Sequence, residues 1–319
     1  MMSELPTLAD IIRAEHRIRP YLPPTPLESA PELGENVFLK LENANKTHSF
    51  KVRGALNAVL SLDDDAREKG LVAASSGNHA QGLAYAASLV DAEATIMMPK
   101  HTPQKKVKGV LRYGAEAILC GDNYDETEAE ALRWAENEEV PFVSPYNDPD
   151  IIAGAGTVGL EIAQQRPNIA RVVVPLSGGG LLSGVALAID ALCPTAEIIG
   201  VNAESAPAFY NLRNGTNLPQ NWDTLAEALS GDIEEGSITI PLIEKLVDDI
   251  VLVSEAQIAA AMRWMLSVQG WLVEGGGAVG VAAMMHNIIP NDGKETVIVV
   301  SGGSLDLSTL QQVLASSDD

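Results

Sequence analysis

Basic residues are scarce in this chain of 319 residues: 21 lysines and arginines stand against 43 aspartates and glutamates, a formal charge of −22. A surface of that sign repels phosphate backbones and anionic lipids, so nucleic acid and membranes are not expected partners. An acidic substrate would need local donors, because the overall field opposes it. Cysteine is nearly absent. Cys120 and Cys193 lack any C-x-x-C spacing and are expected to be free thiols in a reducing cytosol rather than a disulfide. No apolar run approaches the roughly 20 residues of a membrane span. The first twenty residues lack the basic-then-apolar order of a secretion signal and read instead as an amphipathic helix. A cytoplasmic location is the expectation.

Several chemical signatures are missing too. The five histidines are scattered, with no H-E-x-x-H or paired-cysteine pattern, and no metal site is expected from them. No G-x-x-x-x-G-K-[ST] loop argues for a nucleotide triphosphatase, and no G-x-S-x-G elbow for a serine hydrolase.

What the sequence does contain is an alternation of short apolar strands and helical stretches. At 46% hydrophobic residues the chain can bury a large core, and its length suits two units of roughly 100–200 residues each. Strands are expected at Val37–Leu41, Leu71–Ala74, Ala94–Met98, Ala117–Cys120, Arg171–Pro175, Glu197–Val201, Ile250–Val253 and Thr296–Val300. Helices are expected from about Arg53 to Leu62, near His79–Leu89, Pro103–Arg112 and Tyr124–Asn137, and at Ile151–Gln165. Continuous apolar strands between helices predict an α/β fold with a mainly parallel sheet covered on both faces. The Pro/Asn/Asp cluster Pro145–Asp150 reads as a crossing between units.

Sheets of this kind bind ligands at the carboxyl ends of their strands, and four loops there are unusual. In Thr47–Ala55, Lys51 lies among small and aromatic residues close behind a strand; desolvation there lowers an ammonium pKa and frees the amine for carbonyl chemistry. The competing reading is a solvated lysine at a helix start. Ser75-Ser76-Gly77-Asn78-His79-Ala80-Gln81-Gly82 follows directly on a strand and suits a turn whose backbone N–H groups face an anion. It would also suit an ordinary helix cap by Ser76 or Asn78. Ser177-Gly178-Gly179-Gly180-Leu181-Leu182-Ser183-Gly184 allows close backbone approach at a helix N-terminus, which makes a phosphate cradle. A dinucleotide fingerprint fails in register, because Ser183 stands where the third glycine is needed. Ser301-Gly302-Gly303-Ser304 closes the set.

In this order and spacing the four loops resemble the serine/threonine dehydratase and serine racemase family of pyridoxal-5′-phosphate (PLP) enzymes, the fold-type II, tryptophan-synthase-β-like group. The likeness runs from Lys40-Leu41-Glu42-Asn43 through Ser49–Ala55, Pro149–Thr157, Leu246–Asp249 and Val273–Gly280 to Ser301-Gly302-Gly303. It implies two open, twisted, mainly parallel sheets with helices on both faces, and PLP in a cleft between a large domain (residues 1–54 and 148–319) and a small one (55–147). It also implies a homodimer acting on a small amino-acid substrate. By the resemblance Lys51 carries PLP as a Schiff base and then removes the substrate Cα proton. Phe50 lies near the pyridine ring, and Asn78 bonds its phenolic oxygen. Ser75, Ser76, Asn78 and His79 line the substrate carboxylate site. Gly178, Gly179, Gly180 and Leu181 hold the phosphate, and Ser301 faces the pyridine nitrogen. A neutral hydroxyl at that nitrogen makes the ring a weaker electron sink than a carboxylate would, which favours rapid loss of a β-hydroxyl over transamination.

The implied activity is ammonia-lyase chemistry on L-threonine or L-serine, giving a 2-oxo acid and ammonia. Rivals are an amino-acid racemase, a dehydratase of another 3-hydroxy-amino acid such as 3-hydroxyaspartate, and a PLP carrier or amino-acid sensor without turnover. Ser76 is racemase-like, because a hydroxyl there serves the opposite face of Cα. Against racemisation, Asn202 and Ala208 stand where racemases of the family place carboxylates for a divalent ion. His48 replaces the commoner glycine before Ser49. No regulatory domain is expected after the last motif, and feedback control is not expected either.

Overall fold

The computed structural model describes residues 5–315. Its strands are β1 (Leu27–Ser29), β2 (Val37–Leu41), β3 (Leu71–Ala74), β4 (Ala94–Met98), β5 (Glu116–Leu119), β6 (Arg171–Pro175), β7 (Glu197–Ala203), β8 (Asp249–Val253) and β9 (Thr296–Val300). Helices α1 (Leu8–Ile18), α2 (Lys51–Ser61), α3 (Asp64–Glu68), α4 (Asn78–Ser88), α5 (Gln104–Leu111), α6 (Tyr124–Glu138) and α7 (Pro149–Gln165) come first. They are followed by α8 (Gly180–Leu192), α9 (Ala208–Asn214), α10 (Thr239–Leu246), α11 (Glu255–Ser267), α12 (Gly275–Met285) and α13 (Leu307–Ala315).

The chain divides into two compact units. The first holds the described residues up to Pro23 together with Lys51–Ala155; the second holds Pro24–Phe50 and the described residues from Gly156 onward. In the first unit β3, β4 and β5 form a parallel three-stranded sheet in that order. All four residues of β3 are buried, whereas β5 is exposed at both ends. The second unit carries a six-stranded sheet in the order β1-β2-β9-β6-β7-β8, parallel except for the β1–β2 pair. Every residue of β6 and β9 is buried there, which matches Val- and Ile-rich strands covered on both faces. The expected α/β architecture with two mainly parallel sheets is found.

Two boundaries differ from expectation. Pro145–Asp150 is not the crossing: Asp148 Oδ1 accepts the amides of Asp150 and Ile151 at 2.8 and 3.0 Å and starts α7, and the units divide at 155/156 instead. The N-terminal segment belongs to the smaller unit, not the larger one. Ile18 and Leu22 enter that unit's core, and Arg17 donates to Asn57 Oδ1 at 3.1 Å. The amphipathic helix foreseen at the N-terminus is α1, which buries Ile11, Ala14 and Ile18 on one face.

One glycine pair in the first unit explains its sequence directly. A Cβ on Gly154 would lie 2.6 Å from Arg53 O and 2.7 Å from the Gly54 Cα, so α2 and α7 cross backbone to backbone. Both cysteines are free thiols. Among the described residues no helix is long and apolar enough to cross a membrane.

Candidate active site

The first unit gathers Lys51, Ser75, Ser76, Asn78 and His79. Lys51 opens α2, half-buried, and its Nζ donates to the Pro145 carbonyl at 2.7 Å. The strand β3 ends at Ala74 and delivers the Ser75–Gly77 turn, tied down by Ser75 N donating to Met97 O at 3.0 Å. The helix that follows packs directly on the lysine: a Cβ on Gly82 would stand 3.1 Å from Val52 N and 3.2 Å from the Lys51 carbonyl carbon and oxygen. Glycine at this position is what lets α4 approach the head of α2.

The alternative of an ordinary cap by Ser76 or Asn78 is not found. The N-cap of α4 is Gly77, without a side-chain cap bond, and Asn78 is already helical. Ser75 Oγ instead accepts the Gly77 amide at 3.2 Å. Ser76 is partly exposed and its hydroxyl makes no hydrogen bond among the described residues, so it is not spent on the fold. The first amides of α4 lack intrahelical acceptors and carry the positive end of the helix dipole.

His79 is 2% exposed, and its Nε2 lies 3.0 Å from the Val143 carbonyl. A carbonyl can only accept, so Nε2 bears the proton and Nδ1 is a bare acceptor, buried and unpartnered among the described residues. Burial first, and then the neighbouring Lys51 ammonium, push its pKa down to about 3, against the Val143 bond that raises it. The imidazole is therefore neutral at physiological pH. What His79 can offer an anionic ligand is its backbone N–H, not a cation.

The second unit gathers Phe50, Gly178–Leu181 and Ser301. Three adjacent parallel strands, β2, β9 and β6, end on one edge of the sheet. Beyond β2 the chain runs through Thr47–Phe50 and is stitched to the loop after β9. Gly303 N donates to His48 O at 2.8 Å, Ser49 bridges Gly302, and Phe50 N donates to Ser301 O at 3.0 Å. His48 sits at φ +58°, the left-handed region where glycine is commoner, held there by its own amide on Asn45 O. Ser301 is 5% exposed and its Oγ lies 3.5 Å from Gly276 O, at the outer limit of a hydrogen bond. Phe50 is half-buried.

Beyond β6, Gly179 takes φ +91° as the N-cap of α8, whose first-turn amides have no intrahelical acceptor. Ser183, one turn in, is fully buried with an unpartnered Oγ among the described residues. Sequence reasoning missed Thr239. This residue opens α10, is fully buried, and donates its hydroxyl to Gly178 O at 2.8 Å. The usable signal was Thr239-Ile240-Pro241, a helix start with proline in its first turn. A glycine turn of positive φ, a row of helix-start amides without intrahelical acceptors and a buried hydroxyl in need of a partner fit a phosphate-bearing cofactor.

Asn202, on β7, is fully buried and bridges two backbones. Its Nδ2 donates to Leu176 O at 2.8 Å, and its Oδ1 accepts the Tyr210 amide at 3.0 Å. Both ends of that amide side chain are engaged.

Residues 18–302 match the family of pyridoxal-phosphate dependent enzymes. The chain is 41% identical over 314 residues to the L-threonine ammonia-lyase of Thermotoga maritima, covering 97% of this chain and 78% of that protein. It is 37% identical over 320 residues to the catabolic L-threonine dehydratase TdcB of Escherichia coli, covering 97% and 96%. The structure of maize serine racemase superposes with a TM-score of 0.90 at 35% identity, over 98% of this chain and 97% of that one. With the loops, the sheets and the matches in agreement, the chain belongs to the pyridoxal-phosphate dependent enzymes, in their fold-type II serine/threonine dehydratase and serine racemase group.

Proposed function

We propose that the protein is a PLP-dependent ammonia-lyase that converts L-threonine, L-serine or both to a 2-oxo acid and ammonia by α,β-elimination. The observation that carries this reading is Lys51 at the head of α2 with the Ser75–His79 turn packed on it and a neutral histidine beside it. That arrangement puts one reactive amine next to an anion-binding helix start without a competing imidazolium. The substrate class is supported by the threonine ammonia-lyase and dehydratase relatives.

PLP supplies an electron-withdrawing ring that takes up the electron pair left when the Cα–H bond breaks. The chain's own residues do the rest. Gly178, Gly179, Gly180 and Leu181 would hold the phosphate through backbone N–H groups, and Phe50 would pack on the ring. Asn78 would donate to the phenolic oxygen, and Ser301 would offer a neutral hydroxyl to the ring nitrogen. Ser75, Ser76 and the backbone of Asn78 and His79 bind and orient the substrate carboxylate. Lys51 Nζ would hold the cofactor at rest, and its free amine would be the base for the Cα proton. Ser76 is free to hold a proton on the opposite face of Cα, which leaves racemisation as a side activity. Asn202 is committed to neutral hydrogen bonds, and Ala208 has no ligand atom, so a divalent ion is not required there. The same reading makes the protein a cytoplasmic homodimer.

The decisive experiment is Lys51→Ala. The variant, still folded by circular dichroism, should lose the yellow colour of lysine-linked cofactor together with release of ammonia and 2-oxo acid. Borohydride reduction followed by peptide mapping should label Lys51 in the parent protein. A label on another lysine overturns the assignment.

A further inference from the structure

The peptide joining Gly178 to Gly179 is gripped from the α10 side. Thr239 Oγ1 lies 2.8 Å from both Gly178 O and Ser237 Oγ. Because a carbonyl can only accept, the threonine proton points at Gly178 and the Ser237 hydroxyl donates to Thr239. Two hydroxyls in series thus end on a single carbonyl, and donors chained in this way polarise one another. Thr239 and Ser237 are 0% and 2% exposed, so water does not compete with the relay. The same threonine fills the space beside the next residue. A Cβ on Gly179 would lie 2.7 Å from Ile243 Cδ1, 2.9 Å from Thr239 Cβ and 3.0 Å from Thr239 Oγ1.

The consequence follows from peptide geometry. Among the described residues no peptide bond is cis, and in a trans peptide the N–H points opposite to the C=O across the same plane. With Gly178 O held toward Thr239, the Gly179 N–H is turned away from α10. We infer that Thr239 is a positioning residue for the cofactor: it aims the Gly179 amide at the phosphate and keeps the Gly178 carbonyl from facing that anion. A loop of three successive glycines has no side chain to fix its peptide planes, and glycine resists few of the alternatives. An external clamp supplies what the loop lacks. This inference rests on the phosphate-cradle reading above.

The test compares two probes, PLP and pyridoxal, which differ by the phosphate alone, titrated onto cofactor-depleted full-length protein by fluorescence. In the parent protein PLP should bind far more tightly, and the ratio of dissociation constants isolates the contribution of the cradle. Thr239→Val keeps the shape and removes the donor; it should shrink that ratio about tenfold, the size expected when one hydrogen bond to a charged acceptor is misdirected. Thr239→Ser restores the hydroxyl and should return the ratio to within about twofold of the parent. Far-UV circular dichroism checks the fold, and Thr239→Ala replaces the valine variant if that one does not fold. An unchanged ratio in both donor-less variants overturns the role of Thr239 while leaving the cradle in place. Equal weakening of PLP and pyridoxal makes the residue merely structural and overturns it as well. A parent protein with no preference for PLP over pyridoxal removes the cradle itself, and the inference with it.

Discussion

The buried pair Lys40–Glu161 offers the most quantitative check on this description. Lys40, on β2 of the larger sheet, is 0% exposed, and its Nζ donates to Glu161 Oε2 at 2.6 Å, Thr25 O at 2.9 Å and Gln165 Oε1 at 3.1 Å. Thr25 ties the pair to a second buried carboxylate: its amide donates to Glu161 Oε2 at 3.1 Å and its hydroxyl to Glu42 Oε1 at 2.6 Å. Lys40→Met keeps the length of the side chain and removes the ammonium that donates to Glu161 Oε2. Glu161 stays buried and loses that ion-pair partner. Breaking a buried pair in this way costs about 3–5 kcal/mol, because the desolvation of the remaining ion is no longer offset. For a unit of this size the loss corresponds to a drop of roughly 10 °C in the midpoint of its unfolding transition. Differential scanning calorimetry resolves the units where their transitions separate, and urea unfolding gives the free energy directly. Lys40→Met/Glu161→Leu removes both charges and should be more stable than Lys40→Met alone, since neither ion is then stranded. A single variant within about 1 kcal/mol of the parent, or a double variant worse than the single, refutes the reasoning.

Three further outcomes are expected. His79 has a folded pKa of about 3 against an ordinary value of 6.5. Its contribution is fully present above pH 6.5 and is lost as pH falls toward 3, at about 1.4 kcal/mol per pH unit. Urea midpoints at pH 7 and pH 5 should therefore fall more steeply for the parent than for His79→Asn; parallel curves would rule out a buried neutral imidazole. Ser76→Ala should keep ammonia release from L-threonine or L-serine within about tenfold while abolishing any racemisation or D-serine turnover, as removal of one opposite-face proton donor requires. A folded, yellow variant dead toward L-substrates would put Ser76 in the main elimination path. Exhaustive chelation should change activity by no more than about twofold, and a large loss restored by Mg²⁺ would reveal ligands other than Asn202.

What was legible in the sequence was local. Where a chemical loop follows directly on a mostly apolar strand, strand, turn and helix start could be read within a dozen residues, as at Val172–Ser183 and Leu71–Gly82. Helix ends slipped by one or two residues, because Lys51 and Asn78 are already helical where turn chemistry suggested otherwise. The cap assigned to Ser76 or Asn78 failed for a related reason: Gly77 takes the N-cap position, and the preceding serine bonds the turn instead. The features that escaped are long-range. Lys40 reads as one polar residue in an apolar strand, and nothing near it announces a partner 121 residues away. Thr239 lies 61 residues from the carbonyl it holds. The neutral state of His79 depends on burial, and the Val143 carbonyl that fixes its tautomer comes close only once the first unit has folded. The sequence marks where chemistry is done; the residues that aim and steady it are scattered by topology.

The position of β9 has a consequence for how the protein is made. This last strand is the sole parallel neighbour of β2 and joins it to β6; without it the larger sheet is two fragments, β1-β2 and β6-β7-β8. The segment leading into Lys51 takes its ties at His48, Ser49 and Phe50 from residues 301–303. A ribosome delivers Lys51 well before the residues that tie down the segment in front of it, so that segment waits for β9 and the loop after it before it can be ordered. Cofactor capture in the cell is in this way placed after β9 has been made, and a chain interrupted before that strand would lack the ties at residues 48–50.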